Sequence, residues 1–473
     1  MKSTKKALKK AIKRGKVDGK IKALILGGGV SGRAAEDFLT ARGFRVTVFV
    51  DSDNIEQIDL EDFDFLVISP GVALNHAIIK NFSERNKLVI SELELGLLTK
   101  HRKIVAITGT NGKTTVTNMI ATALQSRAVM CGNVGIPVTA VSQQLKHKIA
   151  VIEASSFQLE SVRSFRPNIA VITNMSQDHL ERHGTMEEYI RCKSQIFKHQ
   201  RKRDTIILNY DNEITREIGV ASSVRRIRSE TSDDPLGGLA WGGGRARMPR
   251  SKVLYFSTTA RVRGIYLEDG GVYLNLKKRA CKIFDISDFQ EKNLHSIENI
   301  LVTILVSKLL KVKNKAILAA TAMNRGLKHR IQHVGTKKVK SGEVMFYNDS
   351  KATNIASCIA ACKAFTIPVN LLVGGVAKGQ NFDELFRKLP PHVENIFIYG
   401  QAADIIAEAA IKANYNNITK CENLKEATAK ACKTGTGPRV VLLSPACSSF
   451  DQFDNYEHRG EVFIEIVEGI VKK

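Results

Sequence analysis

Lys113 ends a glycine-bracketed stretch, ITGTNGK, and is followed at once by Thr114 and Thr115. Gly109 and Gly112 allow positive φ and let backbone approach a ligand closely. If a helix opens here, the amides around Gly109, Thr110, Asn111, Gly112 and Thr115 face phosphate oxygens at its N-terminus. Lys113 then reaches the outer phosphates of a nucleoside triphosphate, and the Thr114 hydroxyl is placed for Mg²⁺. The pattern is not the strict GxxxxGK[ST], because Ile107 stands where the first glycine belongs. The competing reading is a glycine turn before an ordinary helix.

Three further residues bear on such a site. Glu153 ends the apolar run IAVIE, and a carboxylate there suits a metal beside the phosphates. His179 follows the run IAVITNMS in a polar stretch, after Asp178. Lys193 shares a helical stripe with Tyr189 and Phe197, four residues to either side. A lysine on an apolar stripe either snorkels to solvent or is buried, where it gives up its charge readily. A second glycine turn, Gly27-Gly28-Gly29-Val30-Ser31-Gly32, fits GxGxxG, with Asp51 19 residues past Gly32. That is a diphosphate or dinucleotide pattern, weak without structural context.

The elements that must position these residues alternate regularly. Apolar runs of four to seven residues exchange with longer amphipathic stretches, the rhythm of βαβ units and parallel sheets. A basic tail covers 1–20, and three α/β blocks follow at 21–98, 99–325 and 326–473. The stretch 228–250 reads as an irregular surface loop, rich in glycine, and 252–276 reads as a β-hairpin turning at EDGG. In the third block EVMFYND, VNLLVGG, NIFIYG and RVVLLSP read as strands ending in polar or glycine turns, where open parallel sheets bind ligands.

The chain has 473 residues and a net charge of +24. Residues 1–22 alone hold ten Lys/Arg against one Asp. The tail shows helical spacing at Ala7, Leu8, Ala11 and Ile12, but its charge points to a loosely ordered, solvated segment. No aromatic–basic interleaving or zinc spacing supports specific nucleic-acid binding. No run of 18 apolar residues suggests a membrane span, and nothing resembles a secretion signal. The eight cysteines are scattered and read as reduced thiols of a cytoplasmic protein, most of them core fillers.

Taken together, GTNGKTT, GNVG (132–135), EASSFQL (153–159), DHLERHG (178–184) and KHR (328–330) resemble the Mur ligases, the ATP-dependent amide-forming enzymes of cell-wall precursor synthesis. The similarity spans about 21–470. NDSKATN (348–354) and LSPACSSFDQFDNYEHRG (443–460) resemble the members that add D-glutamate to UDP-N-acetylmuramoyl-L-alanine. The resemblance implies a Rossmann-like UDP-binding domain, a central ATPase-type α/β domain and a C-terminal Rossmann-like α/β domain. It also implies ATP and two Mg²⁺ ions, and the chain is expected to act as a monomer.

Residue by residue, the resemblance implies Lys113 and Thr114 on phosphate and Mg²⁺, and Glu153, His179 and a CO₂-carbamylated Lys193 on the second ion. Gly29, Ser31, Gly32, Asp51 and Gly71 would hold the UDP part, and Asn133 the region of the reacting carboxylate. Asn299, Arg330, Asp349 and Lys351 would meet ATP. Thr353, Lys378, Ser449, Phe450 and Tyr456 would cradle D-glutamate. The sequence departs from the family in GGVAKG (374–379), which lacks an aspartate near Lys378. It also has Ser296 where asparagine is usual and Lys328 where proline is common. Two readings compete with a ligase: a nicotinamide oxidoreductase built on the first block, and an ATP-gated nucleic-acid factor suggested by the net charge.

Overall fold

A computed structural model describes residues 2–14, 17, 19–50, 58–228, 249–276, 279–289, 294–323 and 328–472. Contacts divide the chain into two units. One comprises Met1–Met175, Glu187–Gln290 and Ser296–Met323; the other comprises Ser176–Met186, Glu291–His295 and Asn324–Lys473.

The first unit holds two sheets. In the smaller, β1 (Lys22–Leu26), β2 (Arg45–Phe49), β3 (Phe65–Ile68) and β4 (Leu88–Ser91) lie parallel in the order β2-β1-β3-β4. The buried runs KALIL and FLVI form its centre, as expected for strands covered on both faces. The larger sheet has nine strands: β5 (Ile104–Thr108), β6 (Ala128–Gly132), β7 (Ile149–Glu153), β8 (Ile169–Ile172), β9 (Thr205–Asn209), β10 (Lys252–Ser257), β11 (Gly264–Glu268), β12 (Gly271–Asn275) and β13 (Cys281–Asp285). Their order is β13-β12-β11-β10-β9-β8-β5-β7-β6.

The expected hairpin is narrower than 252–276. Only β11 and β12 pair antiparallel across Asp269 and Gly270, whereas β10 lies parallel to both β9 and β11. Of the expected loop at 228–250, Arg228 ends a helix that starts at Glu213, and 229–248 lie outside the described residues.

Two glutamates join the sheets of this unit. Glu92 Oε1 accepts from the Thr139 amide at 2.8 Å and its hydroxyl at 2.7 Å. Glu94 accepts from the amides of Arg163 and Ser164 at 2.9 and 2.6 Å. Both side chains are buried, so these bonds form where water does not compete.

The second unit carries a six-stranded sheet: β14 (Gln332–Val339), β15 (Gly342–Asn348), β16 (Val369–Gly374), β17 (Val393–Tyr399), β18 (Ile418–Lys420) and β19 (Arg439–Leu443), in the order β14-β15-β19-β16-β17-β18. Only β14 runs antiparallel. Because β19 inserts between β15 and β16, the carboxyl ends of those three strands stand side by side.

The N-terminal expectation needs correction. Lys2–Arg14 is a helix, and Leu8 and Ile12 are only 4% and 3% exposed in the core around β1 and β3. Lys5 Nζ bonds Ser164 Oγ at 2.6 Å and lies 3.4 Å from Glu94. The charge decided the sequence reading, but a basic helix with one apolar stripe docks through that stripe and leaves its lysines to water. Leu8→Ala should therefore destabilise the first unit by about 2–4 kcal/mol. An unchanged melting temperature would mean that the segment is solvated after all.

Candidate functional site

The phosphate loop forms where the sequence places it. β5 ends at Thr108, and the helix Lys113–Leu124 begins directly after Gly112, whose φ is +81°. A Cβ on Gly112 would lie 2.4 Å from Asn299 Oδ1, so the loop and Asn299 meet only because that residue is glycine. Gly109, at φ +146°, admits no Cβ either, since Thr173 Oγ1 would lie 1.9 Å away. The end of β8 fastens the loop. Asn174 accepts from the Asn111 amide through its side chain at 2.9 Å and from the Thr110 amide through its backbone at 3.0 Å. Neither Thr173 nor Asn174 is singled out by the sequence, although TN directly after an apolar strand was a usable signal.

Two ammonium groups converge on this loop. Lys113 Nζ donates to the carbonyls of Gly109 and Thr110 at 2.9 and 2.7 Å. Lys193 Nζ donates to the same Gly109 carbonyl at 2.8 Å. Lys193 is 2% exposed, so it is buried and does not snorkel. Its helix, Met186–Ser194, also brings Tyr189, whose hydroxyl lies 3.0 Å from Thr110 Oγ1 and whose ring lies 4.6 Å beneath Lys193 Nζ.

Glu153 ends β7, paired with β5 through Ile107. It is 1% exposed. One oxygen accepts from Asn133 Nδ2 at 2.9 Å, and the other is buried with no hydrogen-bond partner. A buried carboxylate oxygen without a donor costs stability unless a cation completes it. Among the described residues, no group of three or more His, Cys, Asp or Glu side chains is arranged to hold a metal. That does not disfavour Mg²⁺, which characteristically takes one or two carboxylates and fills its other positions with water and phosphate. Glu153 and the hydroxyl of Thr114 fit this requirement.

Part of the UDP set also assembles. Gly29 precedes the helix Val30–Thr40, with Ser31 half-buried in its first turn. A Cβ on Gly32 would sit 1.8 Å from the Gly27 carbonyl, so the helix packs tightly on its strand. Gly71 follows β3, the neighbour of β1. Asp51 lies outside the described residues. Asn133 is not in this sheet, since it follows β6 beside Glu153.

His179 belongs to the second unit by its contacts. It has φ +53°, its Nδ1 lies 3.3 Å from Glu181, and its Nε2 lies 3.7 Å from Asp178. Burial lowers its pKa and the charge of Lys378 does so further, against Asp178 and Glu181. A neutral imidazole, the form that ligates metals, is thus favoured. Asp178 accepts from Asn354 Nδ2 at 3.4 Å.

The rest of the second unit's set gathers at the ends of β15, β16 and β19. Lys351 and Thr353 follow β15, Lys378 follows β16 at φ +50°, and Ser449 and Phe450 follow β19. Val376 and Ser448 exchange backbone hydrogen bonds of 2.9 and 3.1 Å, which holds the second and third loops together. Tyr456 opens the helix Tyr456–Val471, with its ring 5.3 Å from Lys351 Nζ. Ser449 is buried and Phe450 is 71% exposed.

The KHR segment has its own support. His329 is buried, with Nδ1 3.1 Å from Asn348 Nδ2. Gly460 leaves its place open, because a Cβ there would be 2.1 Å from that nitrogen. Arg330 follows, close enough to stabilise the Asp349 carboxylate. Burial nonetheless raises the Asp349 pKa to about 7, against a hydrogen bond of 2.8 Å from Ser444.

A family description of the Mur ligase middle domain matches residues 107–233, and one of the Mur ligase glutamate ligase domain matches 329–447. A UDP-N-acetylmuramoylalanine–D-glutamate ligase from Koribacter versatilis is 34% identical, covering 94% of this chain and 97% of the relative. The chain belongs to the Mur ligase family.

A relative of the same name from Clostridioides difficile is 33% identical, over 87% of this chain and 86% of its own. Among solved structures, a pseudomurein peptide ligase type C from Methanothermus fervidus superposes with a TM-score of 0.57 at 16% identity, covering 95% of this chain and all of that one. A MurF ligase from Thermotoga maritima in complex with ADP gives 0.54 at 14%, covering 97% and 99%. These likenesses show that the Mur ligase fold is present. No helix among the described residues is long and apolar enough to cross a membrane.

Asp349 generates a pH prediction. Its folded pKa lies above that of an unfolded aspartate, so the native state binds the extra proton between about pH 4 and 7. Its contribution to stability is complete below that window and is lost as pH rises through it. The melting-temperature advantage of wild type over Asp349→Asn should therefore shrink from pH 4.5 to pH 7.5. A constant difference would show that Asp349 titrates normally.

Proposed function

We propose that the protein is an ATP-dependent acid–amino-acid ligase that joins D-glutamate to UDP-N-acetylmuramoyl-L-alanine in peptidoglycan precursor synthesis. The observation that carries this reading is the near full-length relationship to ligases of that name, at 33–34% identity. The phosphate loop supports it physically. Lys113, held at the loop by the carbonyls of Gly109 and Thr110, is a cation placed for the outer phosphates of a triphosphate.

A carboxylate is a poor electrophile. Transfer of the γ-phosphoryl group from ATP to its oxygen gives an acyl phosphate and ADP. The free amine of D-glutamate then attacks the carbonyl carbon, phosphate departs, and the amine's proton passes to a base. Lys113 and the loop amides hold the β- and γ-phosphates. Mg²⁺ supplies charge neutralisation when bound, with Thr114 and Glu153 as its holders in this unit. Asn133, fixed by its bond to Glu153, orients the carboxylate substrate.

Lys193 is read as carbamylated: its neutral amine adds CO₂, losing a proton and gaining a carboxylate. That change places an anion beside Glu153's strand and removes a buried cation. In the second unit, Lys378 pairs with a carboxylate of D-glutamate, with Thr353, Ser449, Phe450 and Tyr456 around it. Arg330, Asp349 and Lys351 serve ATP from the same unit, and Asn299 serves it from the first. The boundaries 21–98, 99–325 and 326–473 follow the three sheets in this reading, and His179 supplies a neutral nitrogen for a cation. The working form is taken to be a cytoplasmic monomer, consistent with eight free cysteines.

Phosphate release with UDP-N-acetylmuramoyl-L-alanine and a panel of amino acids tests the assignment. D-glutamate should be turned over fastest. Faster turnover with L-alanine, a diamino acid or a dipeptide would reject it. Lys193→Ala should lose at least 100-fold in kcat, on the order of an electrostatic catalytic group, and recover part of it with a short carboxylic acid. Unchanged kcat would exclude a carbamate role.

A further inference from the structure

Arg459 is the largest fully buried side chain among the described residues, at 0% exposure. It lies one turn into the helix Tyr456–Val471. A guanidinium held away from water needs its N–H groups satisfied in a fixed plane. Its hydrogen-bond acceptors here are neutral oxygens. Nε donates to Ser350 Oγ at 2.9 Å, and Nη2 to the carbonyls of Ser350 at 2.9 Å and Cys447 at 3.0 Å. Nη1 donates to the Gly374 carbonyl at 3.3 Å. Burial lowers the Arg459 pKa, against the nearby Tyr399 hydroxyl and Asp451 carboxylate, which favour the cation.

Those acceptors come from three different loops, at the ends of β15, β16 and β19. Ser350 is followed by Lys351 and Thr353, Gly374 leads to Lys378, and Cys447 leads to Ser449 and Phe450. Ser350 Oγ also donates to the Tyr456 carbonyl at 2.8 Å, which ties in the helix bearing the fourth contact. Helix and loops are thus indexed to one rigid fork. We infer that Arg459 is a positioning residue for the amino-acid subsite: it sets the spacing of the three strand-end loops that grip the incoming amino acid, without touching the substrate.

The inference rests on the reading that those loops form the amino-acid subsite. The fork geometry is what Lys cannot reproduce, since its ammonium is a point donor on a flexible stem. Hydrogen bonds from a charged donor to buried acceptors are among the stronger ones, and a misplaced loop weakens every contact it carries. Arg459→Lys should raise KM for the amino acid roughly tenfold or more, while KM for the UDP substrate, held by the first unit, stays within about twofold. Arg459→Ala should recover part of its amino-acid affinity with added guanidinium ion, and no recovery would count against the inference.

Ser350→Ala removes the Nε acceptor and the bond to the Tyr456 carbonyl but leaves the other three bonds of the guanidinium, and is the milder variant if Arg459→Lys does not fold. It should raise the same KM a few-fold. The inference is overturned if the folded variants keep the wild-type KM for the amino acid. It is equally overturned if all parameters fall together with the folded fraction measured by circular dichroism. The wild-type amino-acid panel separates the two readings. If wild type prefers another amino acid, the functional assignment fails and the variants are measured with that amino acid instead.

Discussion

Two lysines hydrogen-bonded to one carbonyl oxygen form the point around which the first unit is organised. Lys113 and Lys193 both reach Gly109, one from the helix that follows the loop and one from a helix 80 residues later. While both amines are charged the arrangement is unfavourable by itself, because like charges in a partly desolvated site repel strongly. It persists because the surrounding structure is over-determined. Gly109 and Gly112 have no space for a side chain, Asn174 pins the loop amides, and Tyr189 underlies the second lysine. Glu153 stands one strand away with an uncompensated oxygen. The loop, its two lysines and the strand end that bears Glu153 are thus held in fixed positions before any ligand arrives.

The second unit solves a different problem with similar means. Its strand ends carry side chains on three neighbouring loops, and loops alone are poor at fixing positions. Backbone exchange between Val376 and Ser448, the Gln380 side chain between the Ile355 amide and the Ala446 carbonyl, and the Arg459 fork supply the stiffness. Gly460 adjoins that arginine and makes room for His329, so two successive residues of one helix serve the sheet ends and the KHR segment respectively.

How much of this was legible in the sequence depended on whether the signal was local. The phosphate loop, the strand-end position of Glu153 and the strands of the third sheet were readable, because glycine spacing and apolar runs fix them within ten residues. The burial of Lys193 was open to two readings, since a helical stripe cannot say whether the tip of a lysine reaches water. The N-terminal helix was misjudged because its apolar stripe is only Ala7, Leu8, Ala11 and Ile12, outweighed by lysines that the fold simply leaves outside. The grouping of 176–186 with the C-terminal unit, and the pairing of Arg459 with Ser350 and Gly374, depend on contacts between segments far apart in the chain, which no local pattern encodes. The departure at GGVAKG stays visible as an absent carboxylate; among the described residues, Lys378 instead lies close enough to His179 to lower its pKa.

The cysteines, unremarked by the chemistry, leave the molecule with a single convenient handle. Seven are buried, and desolvation pushes the thiols of Cys131, Cys192 and Cys447 up to about 12, so thiolate is scarce at neutral pH. Cys281 alone is exposed, on the outermost strand of the nine-stranded sheet, at the opposite edge from the strand that leads to Asn133. A maleimide dye added to the folded protein would therefore attach at one known position, several strands removed from the phosphate loop. It would give an optical reporter without any engineering of the chain.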